Sequence, residues 1–153
     1  PSVSPLAFLR ALKAAGAKGF DAYAHHPYYG KPRETPSTPP PTIGGAKPTA
    51  VTLGNFDALV GELTRLYGGK VPIWITEYGY QTRPPDAQFG VTYAQQAAYM
   101  KQAYAAAKAN PRVDMLLWFL LRDEVRLEGW QSGLLTASGT KKPAFAAFQK
   151  LRG

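Results

Sequence analysis

Glu77 carries the clearest chemical promise in the chain. It closes the run Ile73-Trp74-Ile75-Thr76-Glu77, which is apolar or β-branched up to its last position. A carboxylate ending such a run is partly desolvated and needs hydrogen-bond partners to stay ionised. So placed, it can serve as nucleophile or as acid and base; bonding a loop's backbone amides is the structural alternative. Two other runs join polar or aromatic residues to apolar segments: His25-His26-Pro27-Tyr28-Tyr29, and Trp118 onward to Arg122-Asp123-Glu124. His26 could orient a carboxylate or touch a substrate, and Tyr28 could donate to it. Each also reads, taken alone, as a satisfied structural residue.

Other chemistries fit less well. Adjacent strand residues face opposite sides, so His25 and His26 cannot easily chelate one ion, and no metal or cofactor is expected. The serines, at positions 2, 4, 37, 132 and 138, lie outside any nucleophile-elbow pattern. Neither Gly44-Gly45 nor Gly68-Gly69 belongs to a phosphate loop. The absence of cysteine removes disulfides, thiolate metal sites and thiol nucleophiles, and leaves the compartment open. A net charge of +8 on 153 residues raises the question of nucleic acid. The basic residues are scattered, however, and the one tight group (Lys141, Lys142, Lys150 and Arg152) reads as a solvated helix surface, so no nucleic-acid partner is expected. No apolar run approaches the ~20 residues of a membrane span, and no membrane partner is expected.

The elements that must position these residues alternate. Ser4-Pro5 opens a helix carrying Leu6, Leu9 and Leu12, with Gly16 as its stop. Phe20 to His26 reads as a strand that ends at Pro27, which cannot donate to a ladder. Asn55 caps a second helix with Phe56, Leu59, Val60, Leu63, Leu66 and Tyr67 at helical spacing. The Ile73–Glu77 strand follows, opened by Pro72. Thr92 and Gln95 form a capping box, and Tyr93, Ala97, Met100, Tyr104 and Ala107 trace one face of the third helix up to Asn110-Pro111. Met115 to Leu121 is a third strand, and Pro143 starts a last helix with Ala144, Phe148 and Leu151. Strands apolar on both faces suit a parallel sheet covered by helices, which makes one α/β domain over residues 1–153 with its strand ends on one rim. Residues 27–48 break the rhythm with seven of the fourteen prolines. That stretch is either a disordered linker or an ordered wall of the cleft.

Taken together, Tyr23-Ala-His-His-Pro-Tyr-Tyr, Trp74-Ile-Thr-Glu-Tyr-Gly-Tyr and Leu116-Leu-Trp-Phe, with Gly129-Trp130, Gly133-Leu134 and Lys142-Pro-Ala-Phe, carry a resemblance. Over almost its whole length the chain resembles clan A glycoside hydrolases, especially family 5 cellulase-like and family 39-like enzymes. The resemblance implies the C-terminal part, about strands six to eight, of a (β/α)8 TIM barrel. It implies a retaining glycoside hydrolase of a β-linked polysaccharide or oligosaccharide, secreted or extracellular. Glu77 then resembles the nucleophile, His26 and Tyr28 the family's His-x-Tyr pair, and Trp118 the sugar platform. Trp130 and Tyr80, with Tyr29, offer further apolar faces for a sugar, and Asp123 and Glu124 are candidates for its hydroxyls or for a surface ion-pair cluster with Arg122 and Arg126. The family's Asn-Glu acid/base pair does not occur here, and a barrel takes about 250 residues. The expectation is therefore a missing N-terminal half that holds the acid/base glutamate, with this chain inactive alone. A sheet face around Ile73, Ile75 and Leu116 would be left bare, to be covered by the complementary half or by self-association. A carbohydrate-binding or scaffold protein that keeps the aromatic cleft without turnover is the alternative.

Overall fold

The computed structural model describes residues 3–151, so Ser2 and Arg152 lie outside the described residues. Within that span the elements run α1 (Pro5–Ala14), β1 (Tyr23–His25), α2 (Phe56–Tyr67), β2 (Ile73–Tyr78), α3 (Tyr93–Ala109), β3 (Val113–Trp118) and α4 (Pro143–Leu151). The three strands form one parallel sheet in the order β1-β2-β3. Four helices and a parallel sheet make a mixed α/β fold in the expected alternation. β1 is shorter than Phe20–His26, because its ladder with β2 covers only Tyr23, Ala24 and His25 opposite Ile73, Trp74 and Ile75.

Local chemistry accounts for the helix ends. Pro5 stands at the start of α1, where its missing N–H costs nothing. The Thr92 hydroxyl accepts from the Gln95 N–H at 3.2 Å while the Gln95 side chain accepts from the Thr92 N–H at 2.9 Å, closing the expected capping box on α3. Asn55 behaves differently from its expected role. Its side chain accepts from the Thr52 N–H at 2.8 Å and so closes a box around a short 3-10 turn, Leu53–Asn55, leaving none of its bonding for α2. On α3 the buried stripe is Gln96, Met100, Ala103 and Ala107. Gln96 replaces the more apolar neighbours at its start because its amide donates to the carbonyls of Tyr80, Ser132 and Gly133.

The sheet has one covered face. Ile73 and Ile75 are fully buried with Leu59 and Leu63 of α2 and Leu9 of α1. Trp74, Met115 and Leu117 project from the other face, at 39, 36 and 48% exposure. Which residues lie bare is thus the reverse of the expectation for Ile73, Ile75 and Leu116, since alternation places those three on the helix side. Residues 27–48 pack, through Thr38, against the turn before α2. Thr52 donates its hydroxyl to the Thr38 carbonyl at 2.9 Å, and Gly54 comes so close that a Cβ there would stand 2.4 Å from that carbonyl.

α1 and α2 are joined by Glu62, whose carboxylate receives Arg10 Nε at 2.6 Å and Arg65 Nη2 at 2.7 Å. Hydrogen bonds from Arg65 and then Arg10 hold this carboxyl down at about 2. The folded state binds that proton more weakly than the unfolded chain, so the contribution is complete above the ordinary carboxylate range and is lost as the pH falls toward about 2. In denaturant titrations at a series of pH values, Glu62→Gln is expected to flatten the fall in stability between pH ~4.5 and ~2. An unchanged slope would remove Glu62 from the acid response.

Candidate active site

Glu77 is the penultimate residue of β2, at the irregular end of the β2–β3 ladder, and its side chain is 34% exposed. Its Oε2 is met from two sides. The Tyr28 hydroxyl donates to it at 3.4 Å, and His26 Nδ1 stands 3.5 Å away. The other ring nitrogen of His26 is 2.9 Å from the Thr76 hydroxyl. The network is satisfied when Nδ1–H faces the carboxylate and Nε2 accepts from Thr76, a tautomer assigned from these partners. Burial, then the charge of Glu77, pushes the Tyr28 hydroxyl well above the ordinary phenol range, so it stays protonated as a donor near neutral pH. His25 points the other way, to the Val51 carbonyl at 3.2 Å, and burial pushes its imidazole down. A cavity of about 290 Å³ between the Pro-rich wall and the end of β1 is lined by His26, Tyr28, Lys31 and Glu34 among others.

Aromatic rings continue from the carboxylate. Tyr28 lies against Trp130, with centroids 5.5 Å apart, and Trp130 meets the edge of Phe119 at 5.5 Å and 89°. Trp130 keeps 39% exposure and Phe119 is half-buried. Phe119 was not singled out from sequence, although it shares the strand parity of Met115 and Leu117, and that parity was the available signal.

Two expected sugar contacts are corrected here. Trp118 packs with Met100, Leu134 and α4 on the helix side of the sheet and donates its indole N–H to the Ser132 carbonyl at 2.9 Å. One position along a strand reverses the face, so the cleft-side ring is Phe119. Tyr80 has no exposed surface. It lies flat on Tyr29, 4.4 Å between centroids, with Tyr99 at 4.8 Å, and is a core residue. Tyr29 is half-buried in the same stack, and desolvation pushes its hydroxyl up to about 12.

A third correction concerns charge. Lys142 was expected on a solvated surface and Asp123 at a sugar or a surface cluster, yet their side chains are 0 and 2% exposed and paired at 2.7 Å. Lys142 Nζ also donates to the Thr82 hydroxyl at 2.8 Å and the Gln131 carbonyl at 3.1 Å, which uses all three ammonium protons. Asp123 accepts the Gly133 N–H at 2.8 Å. Burial pushes the ammonium down, and the adjoining carboxylate pulls it back. Two glycines let the backbone pack closely here, Gly133 on Asp123 and Gly79 on Phe119. A Cβ on Gly133 would meet the Asp123 nitrogen at 2.4 Å, and one on Gly79 would meet the Phe119 carbonyl oxygen at 2.4 Å. Lys142→Met strands the Asp123 carboxylate away from water, and urea unfolding is expected to read a loss of about 3–5 kcal/mol. A loss below about 1 kcal/mol, the range of exposed ion pairs, would contradict this burial.

A family model described as glycosyl hydrolase catalytic core matches residues 49–148, a stretch that includes Glu77, Phe119 and Trp130. The chain belongs to this family. Solved structures carry the likeness of fold further along the chain. A family 39 glycoside hydrolase from the gut symbiont Bacteroides cellulosilyticus superposes with a TM-score of 0.70 at 22% identity, over 93% of this chain and 29% of its own. A GH2 beta-galacturonidase from Eisenbergiella tayi gives 0.61 at 13% identity, over 86 and 23%. A β-glucuronidase from Ruminococcus gnavus gives 0.54 at 17%, over 93 and 25%. The chain therefore spans less than a third of each of these proteins. No curated protein matches it. The expected kinship with glycoside hydrolases stands on the family match, while His26 and Tyr28 precede the matched residues.

Proposed function

We propose that the chain supplies the nucleophile side of a retaining glycoside hydrolase acting on a β-linked glycan, with Glu77 as nucleophile. The observation that supports this most is the Glu77 carboxylate at the C-terminal end of the central parallel strand, with one oxygen held by Tyr28 and His26. The C-terminal ends of parallel strands are where α/β enzymes place their chemistry. In this reading β1, β2 and β3 are strands six to eight of a (β/α)8 barrel. The remaining strands cover the face of Trp74, Met115 and Leu117 and bring the second carboxyl.

The chemistry follows from the held oxygen. Oε2 is occupied by its two partners, so Oε1 attacks the anomeric carbon. As that C–O bond forms, the glycosidic C–O bond breaks and the leaving oxygen takes a proton from an acid/base glutamate outside this chain. The same glutamate, now a base, takes a proton from water as the water displaces Glu77 and regenerates the free carboxylate. Such pairs stand about 5–5.5 Å apart. Tyr28 restrains the carboxylate for attack, and the Trp130 and Phe119 rings receive the apolar C–H face of the sugar.

The test is covalent labelling of the whole protein that carries this chain, using 2-deoxy-2-fluoro glycosides of gluco, manno and xylo configuration with intact-mass and peptide readout. A single adduct on Glu77 is expected. No adduct with any probe, together with retained oligosaccharide binding, would move the assignment to a non-catalytic carbohydrate-binding protein. Glu77→Gln is expected to lower kcat at least about a thousandfold. Tyr28→Phe, which removes one hydrogen bond to a charged group, should lower kcat/KM by about ten- to a hundredfold. Equal activity of Tyr28→Phe and the parent would exclude Tyr28 from restraining the nucleophile.

A further inference from the structure

The buried Lys142–Asp123 pair lies on the far side of the loop that carries Trp130, and the hydrogen bonds between them form a continuous path. Lys142 Nζ donates to the Gln131 carbonyl. That same carbonyl accepts from the N–H of Thr82 at 3.1 Å and from its hydroxyl at 3.0 Å. The N–H of Gln131 donates to the Gln81 side chain at 3.0 Å, and the Trp130 carbonyl accepts from the Glu124 N–H at 3.0 Å. Gln131 finally turns its amide back into the loop, to the Arg126 carbonyl at 2.8 Å. Trp130 is thereby fixed through its own peptide and its neighbour's. One end of the clamp is Gln81 and Thr82, in the segment that leaves β2 after Tyr78, and the other is Lys142, just before α4.

We propose that Lys142 is a positioning residue for substrate: by tethering the Gln131 carbonyl it holds the Trp130 ring against Tyr28 and Phe119, so that the aromatic wall beside Glu77 exists before a sugar arrives. This rests on the reading of Glu77 and Trp130 as a glycoside site. A neutral residue of the same volume would fill the space beneath the loop, but it would supply no proton to Gln131. A ring held in place in advance spares the ordering of a large side chain on binding, so the tether acts on affinity more than on the chemical step.

Lys142→Met alone leaves a buried unpaired carboxylate and is unsuited to the question. Asp123→Asn with Lys142→Met removes both charges, keeps an acceptor for the Gly133 N–H and retains the lysine's bulk. The double variant would be made in the whole protein, labelled with 5-fluorotryptophan, with the Trp130 resonance assigned by its loss in Trp130→Phe. The expected result is a shifted or broadened Trp130 resonance while that of Trp74, on the opposite face of the sheet from α1 and α2, holds. KM should rise about five- to tenfold, with kcat within about twofold of the parent. An unmoved Trp130 resonance would overturn the proposal whatever the kinetics, and so would a moved one with KM unchanged. Failure of the glycoside reading is registered separately, as absence of turnover in the parent protein, and leaves the resonance free to report on the tether.

Discussion

The loops at the rim are organised by one ion pair that no water reaches. Lys142 and Asp123 meet beneath the loop after β3, and each finds its remaining partners in a different part of the chain: Thr82, Gln131 and Gly133. Removing two charges from water costs roughly what their attraction returns, so such a pair is a weak source of net stability. Its force lies in exclusion. A packing of residues 119–142 that kept either group buried but apart from the other would leave a charge without a partner. The aromatic wall beside Glu77 is built on their pairing.

Below the rim the governing rule is strand alternation. The residues facing α1 and α2 build the core, with Ile73 and Ile75 at its centre. The residues between them face the other way, and by the end of the sheet that face has become the cleft, bearing His26, Thr76 and Phe119. The ladder is irregular between Ile75 and Tyr78, the stretch that carries Glu77. The carboxylate thus leaves strict alternation where its oxygen meets the phenol and the imidazole.

Much of this was legible in the sequence, and the unread parts share a cause. Helices declared themselves through local signals, a proline at an N-terminus, a capping box at Thr92 and Gln95, an apolar stripe from Phe56 to Leu63. Glu77 stood out because it ends an apolar run, and His26 and Tyr28 through the resemblance carried by Tyr23-Ala-His-His-Pro-Tyr-Tyr. The burial of Lys142 was not, since its partners lie 11, 19 and 60 positions away and a lysine beside a lysine looks solvated. Trp118 was assigned to the cleft by motif, although parity with Met115 and Leu117 sets Phe119 on that face. Tyr80 looks available in a string of aromatics and is sealed by Tyr29 and Tyr99, which arrive from other elements. Asn55 stands at the N-cap position of α2 as its type suggests, but its side chain bonds Thr52 in the shorter turn before the helix, a pairing the sequence pattern does not display.

The two glycines that let the chain close on itself, Gly79 behind the carboxylate and Gly133 behind Asp123, bear on how such a protein can change over generations. Neither position tolerates even a methyl group without displacing backbone. Val125 and Leu127, by contrast, stand 85 and 67% exposed at the tip of the same loop. Substitution is thus steered outward: the solvent-facing tip can take side chains of many sizes, while the two points where backbone meets backbone admit none larger than hydrogen.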